Sequence, residues 1–114
     1  MADGMVYVNF AEGLQRVMNN VKLYIKLLTK FKDGTNLNAL KAAFDAWDTE
    51  AIKGELHTLK GLAANLSLSE LFAWCLKLET QAKEGSLEKS QLEPAQAVFD
   101  ATLQEIDRIL AEHG

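Results

Sequence analysis

The chain has 114 residues, 48% hydrophobic and 25% charged, with a formal net charge of −4. That length bounds it to one domain, residues 1–114, able to bury roughly two-thirds of its unfolded surface around one core. The acidic balance argues against a nucleic-acid binder, which needs a basic face to displace counterions.

No segment reads as a membrane span, since the longest apolar run is LFAWCL over 71–76. The start, MADGMVYVNF, lacks a basic region followed by a long apolar one, so no signal peptide is expected. Cys75 has no second cysteine to pair with. Together these features point to a cytoplasmic protein, or to a cytoplasmic module cut from a larger chain.

Apolar residues recur at helical spacing almost throughout, no stretch alternates with period two, and Pro94 is the only proline. The expected fold is all-α. Asn9 with Glu12 fits a capping box that opens a first helix over about residues 10–18. Asn20 caps a second, VKLYIKLLTKF, expected to stop at Asp33-Gly34 through glycine's tolerance of positive φ. Asn36 opens a third, reaching Trp47, with Leu37, Leu40, Phe44 and Trp47 on one stripe. Asp48 or Thr49 caps a fourth that runs to about Leu66. Ser67 and Glu70 form a second Ser-x-x-Glu box for a fifth, which Gly85 closes. Ser90 and Glu93 open a sixth, to about Glu112, with Pro94 in its first turn. Short connections make neighbours antiparallel. The expected architecture is an up-down four-helix bundle of the last four helices, with the shorter N-terminal helices covering one end or side.

The fourth helix carries an anomaly in ELHTLKGLAANLS, residues 55–67. With Ile52 as origin and about 100° per residue, Leu56, Leu59, Ala63 and Leu66 form the core stripe, while His57 projects at about 140°. Its neighbours on that outer face are Gly54, Gly61 and Ala64, with Lys53 and Lys60 at the edge. A helical glycine costs about 0.5–1 kcal/mol relative to alanine. Two glycines beside one exposed imidazole are best compensated by access for another molecule's surface.

Neutral imidazole is a competent nucleophile near pH 7. Lys60, one turn on, can reach an incoming phosphoryl group. At roughly 4 Å their attraction is worth about 1 kcal/mol in water and about 4 kcal/mol in a partly desolvated interface. An exposed helical histidine is most often only solvated, and His-x-x-Lys-Gly alone is a weak pattern. The small surroundings and the rest of the chain strengthen it.

ELHTLKGLAANLSLSEL resembles the signature of histidine-containing phosphotransfer (HPt) domains, approximately His-x-x-Lys-Gly-x-x-x-Asn-apolar-Gly. VNFAEGLQRVMNN, LYIKLLTKF, LNALKAAFDAWD and LFAWCLKLET look like the family's other helices. The resemblance implies a phosphorelay carrier that accepts a phosphoryl group from the aspartyl phosphate of one receiver domain and passes it to another. It implies that His57 is the phosphorylated residue, Lys60 the phosphate-stabilising cation, and Gly61 the gap admitting the partner. Ala64 and Ser67 stand where the family often has glycine, a change that could narrow the choice of partner. The expected partners are response-regulator receiver domains and a hybrid sensor histidine kinase. No cofactor is expected, any magnesium belonging to the receiver, and no metal site. With no ATP lid or nucleotide motif the chain should not phosphorylate itself, and monomer is the default state.

Lys53, Gly54, Gly61 and Ala64 are the expected partner-docking positions. Glu79 falls on the fifth helix near the level of His57. It either accepts the imidazole Nδ1–H, leaving Nε2 to attack, or plays a structural part; the sequence leaves both open. Lys60→Ala is expected to keep the melting behaviour while slowing transfer. Phe31, Phe44, Phe99, Trp47 and Trp74 read as core or core-edge anchors, Cys75 as a small buried hydrophobe, and His113 as without a role. Two other functions compete. A non-phosphorylated helical interaction module needs neither His57 nor Lys60, and a metal-dependent hydrolase needs converging ligands that two histidines do not supply.

Overall fold

The computed structural model describes residues 6–113, and within them the chain is helical without strands. Six helices follow in order: α1 (Phe10–Arg16), α2 (Val21–Gly34), α3 (Asn38–Ala46), α4 (Thr49–Leu66), α5 (Ser69–Glu84) and α6 (Leu92–His113), with a 3₁₀ turn at Lys89–Gln91 before the last. Three starts use the side-chain caps the sequence names. Asn9, Asn20 and Asp48 each accept a backbone N–H three residues on, from Glu12, Leu23 and Ala51. Gly85 closes α5 at φ +80°, the left-handed geometry that favours glycine.

Four boundaries differ from expectation. Gly34 is the last helical residue of α2, with the extended Thr35 as cap, so no positive-φ glycine stops that helix. Asn36 accepts from Asn38 N–H, and α3 begins at Asn38, two residues later than a cap at Asn36 would place it. Ser67 does not cap α5. It ends α4 in the left-handed conformation at φ +58°, and its hydroxyl donates to Glu12 of α1 at 2.7 Å while accepting from Arg16 Nε at 3.2 Å. The box before α6 is formed by Glu88 and Gln91, upstream of Ser90 and Glu93.

The core is one cluster drawn from every long helix: Tyr24, Leu28 and Phe31 of α2, Phe44 of α3, Ile52 and Leu56 of α4, Leu71 and Leu78 of α5, Phe99 and Ile106 of α6. Each such side chain contributes about 1.5–3 kcal/mol on burial. α4 packs most extensively on α5, α3 packs on α4, and α6 lies against both α5 and α2. The second helix is therefore a core member rather than a cover. Phe31 meets Phe99 at 5.9 Å between centroids, and Lys32 pairs with Asp107 at 2.6 Å.

α1 is fixed by close approach. A Cβ on Gly13 would lie 2.2 Å from the Tyr24 ring, so only glycine fits there. Tyr24 in turn donates its hydroxyl to Leu66 C=O at the end of α4, at 2.6 Å. Burial, aided by the charge of Glu12, pushes the Tyr24 phenol up to about 12. Phe10 of α1 also stacks on His113, 4.9 Å between centroids, which gives that histidine a packing contact. Trp47, expected within α3 as a core or core-edge anchor, lies in the left-handed turn just after that helix, 36% exposed, at the core edge with Phe44 against one edge and Lys89 over its ring. Trp74 is half-buried beneath Lys77.

Candidate functional site

The outer face of α4 is built as its periodicity dictates. Ile52, Leu56, Leu59, Ala63 and Leu66 are buried, which turns His57 outward with 73% of its side chain exposed. Gly54 and Gly61 lie on the same face, and a Cβ added at either meets nothing within 4 Å. Their cause therefore differs from that of Gly13: the fold has room for a side chain at both positions. The helix accepts the cost of two glycines without any internal packing need. Ala64, half-buried, continues the small-residue surface toward the α4–α5 turn.

There a shallow cavity of about 210 Å³ opens between α1, α4 and α5, lined in part by Arg16, Ala64, Ser67 and Phe72. Lys53 stands at the opposite end, 31% exposed, and pairs with Glu50 at 2.6 Å. Its charge is thus already shared within the first turns of α4.

Beneath the ring lies Glu79 of α5, a carboxylate only 5% exposed. It is reached from α4 by two side chains. Lys60 Nζ donates to Oε1 at 2.6 Å, and His57 Nδ1 stands 3.3 Å from Oε2. Lys83, one turn along α5, brings a third group to within 4.0 Å of the same Oε2. A buried carboxylate is tolerable only when paired and hydrogen-bonded, and this one is. The Lys60 hydrogen bond, opposed by burial and reinforced by the charges of Lys60 and Lys83, holds the Glu79 carboxyl below the ordinary carboxylate range. It is ionised at neutral pH and can only accept. The ring nitrogen facing it must then carry the hydrogen, and in the neutral ring the lone pair sits on outward-facing Nε2.

The sequence places His57, Gly54, Gly61 and Ala64 on one face, and the structure brings Glu79 and Lys60 to it. Lys60 differs from expectation in one respect. It is only 22% exposed and bound to the buried Glu79 carboxylate, so removing it should cost stability rather than leave the melting behaviour unchanged. Lys83 was not singled out by sequence reasoning, although its position four residues after Glu79 on α5 was a usable signal. Cys75 is buried as expected, and burial near the Glu79 charge pushes its thiol up to about 12, far from reactivity at neutral pH. Among the described residues no three His, Cys, Asp or Glu side chains are grouped to hold a metal ion, and no helix is long and apolar enough to cross a membrane.

Fold and site together define an all-helical module that presents one histidine, backed by a buried carboxylate, on a face cleared of bulky side chains. The chain belongs to the Hpt domain family, whose model matches residues 27–112. Hpt domains are histidine phosphotransfer carriers of two-component phosphorelays and interact there with receiver domains and kinases. Searches of curated proteins and of solved structures returned no match.

Proposed function

We infer that this protein is a phosphorelay carrier in which His57 Nε2 takes a phosphoryl group from the aspartyl phosphate of one receiver domain and delivers it to the aspartate of another. The observation that carries the reading is the pairing of the exposed His57 ring with buried Glu79 through Nδ1, which leaves Nε2 as the nucleophile. In the forward step the Nε2 lone pair forms the P–N bond as the acyl-phosphate P–O bond breaks. The receiver regains its carboxylate, and the ring keeps its Nδ1 hydrogen against Glu79. With Nδ1 still protonated the phosphorylated ring is an imidazolium. When the next aspartate attacks phosphorus the P–N bond breaks and the ring departs as neutral imidazole, a good leaving group, so the same contact serves the return step.

Lys60 remains tied to Glu79 by one N–H and has two more to offer the phosphoryl oxygens. Gly54, Gly61 and Ala64 form the floor on which the receiver docks, with Lys53 at its rim. Magnesium, where the chemistry needs it, belongs to the receiver. The chain takes its phosphoryl group from a partner rather than from ATP, works as a monomer because the face must stay open, and acts in the cytoplasm. Incubation with a receiver phosphorylated on aspartate tests this. Acid-labile, base-stable label should appear on the wild-type protein and be lost in His57→Gln; label that persists in His57→Gln overturns the assignment.

A further inference from the structure

The Glu79 carboxylate gathers two lysines that differ in how firmly they are held. Lys60 is 22% exposed and bound at hydrogen-bond distance. Lys83 is 65% exposed and stands at 4.0 Å, beyond a hydrogen bond, beside the oxygen that faces His57 Nδ1. Removing a partner from a buried charge is costly, so Lys60 must stay with Glu79 whatever happens at the ring. Redirecting Lys83 breaks no hydrogen bond and leaves Glu79 satisfied by Lys60 and the ring. A phosphoryl group on Nε2 brings close to two negative charges next to a carboxylate that cannot move away. The cation free to answer that charge is Lys83.

We propose that Lys83 is a second phosphoryl-binding residue, swinging from Glu79 to the phosphoryl oxygens when His57 is modified, while Lys60 stays anchored. The proposal rests on the carrier reading above. Its competing explanation is structural: Lys83 lies in the last turn of α5, where any cation favours the helix dipole. A helix-end cation would affect stability slightly and leave the phosphoryl group untouched.

The test uses phosphoramidate, a small phosphoryl donor that needs no docking surface. Nε2 forms the new P–N bond as the donor's P–N bond breaks, and ammonia departs with the nitrogen's three protons while Nδ1 keeps its hydrogen. Wild type, Lys83→Ala and Lys83→Arg are compared by labelling rate and by ³¹P NMR titration of the phosphohistidine, with circular dichroism to verify folding. The expected result is labelling slowed about fivefold in Lys83→Ala, the attraction of one solvated charge pair at roughly 4 Å. The phosphoryl pKa should rise in the same variant, and Lys83→Arg should restore both. Unchanged labelling and titration in Lys83→Ala overturn the proposal while leaving the carrier reading intact. So does a defect seen only with a phosphorylated receiver, which would make Lys83 a docking cation. Wild-type protein that takes no label from either donor overturns the carrier reading, and this assignment with it.

Discussion

Replacing Glu79 with glutamine keeps the shape of the side chain but removes half of its accepting capacity. The carboxylate accepts twice, from Lys60 at 2.6 Å through Oε1 and from His57 Nδ1 at 3.3 Å through Oε2. Glutamine has one carbonyl oxygen and one NH₂, so it can serve one donor and must oppose the other. The charged donor at the shorter distance should keep the oxygen, which turns the NH₂ toward the imidazole. The ring then answers with its lone pair on Nδ1 and its hydrogen on Nε2, the wrong tautomer for attack. Hydrogen bonds to charged groups are worth about 1.5–3 kcal/mol. Restoring the reactive tautomer against that preference should slow phosphoryl transfer roughly ten- to hundredfold. Because Lys60 keeps a neutral acceptor, the stability loss should be smaller, about 1–2 kcal/mol, or a Tm lower by about 4–10 °C. Long-range ¹H–¹⁵N NMR of His57 reads the tautomer, and transfer from a labelled receiver reads the rate. A Glu79→Gln protein that retains the Nδ1–H tautomer and wild-type transfer would refute the orienting role.

Three further outcomes follow from the same geometry. Lys60→Ala should slow transfer roughly tenfold and also lower stability by about 1–3 kcal/mol in urea melts, because Glu79 loses its shortest hydrogen bond; an unchanged melt would show that the ammonium does not anchor the carboxylate. Gly54→Ala should raise stability by about 0.5–1 kcal/mol, while Gly61→Leu should fold normally and lose receiver binding in titration calorimetry, since both positions open on empty space; full binding by Gly61→Leu would remove that glycine from the docking floor. Glu79's carboxyl titrates below its ordinary value of 4.5, so the unfolded chain takes up this proton first as pH falls. The contribution of Glu79 is therefore fully present above pH 4.5 and lost on acidification through the depressed folded value. Acid denaturation should show a shallower pH slope in Glu79→Gln than in wild type, and identical slopes would contradict it.

The helical class, the outward turn of His57 and the open space beside it were legible because they depend on one helix alone. Ile52, Leu56, Leu59, Ala63 and Leu66 fix the buried side of α4, and 3.6-residue periodicity does the rest. What the sequence concealed depends on distant partners. Ser67 looks like a cap for α5, but Glu12 and Arg16, more than fifty positions away, claim its hydroxyl and hold it at the end of α4. Trp47 fits the apolar stripe of α3 by spacing, yet the chain turns left-handed at that residue and leaves the ring at the core edge. α2 reads as a peripheral amphipathic helix until Phe31 is found against Phe99. Lys60 reads as a cation at the edge of the face, within reach of a phosphoryl group, since no local pattern tells that Glu79, nineteen residues on, takes up its ammonium. The spacing of Lys83 four residues after Glu79 is visible in the sequence, but the burial of that carboxylate, which gives the pair its weight, depends on distant partners.

The central claim concerns one nitrogen atom. Phosphorylating the protein with ¹⁵N-labelled histidine and reading ³¹P–¹⁵N coupling identifies which atom bears the phosphorus. The account predicts a bond to Nε2 of His57 with hydrogen retained on Nδ1. Phosphorus on Nδ1, on His113, or on no histidine at all would contradict it.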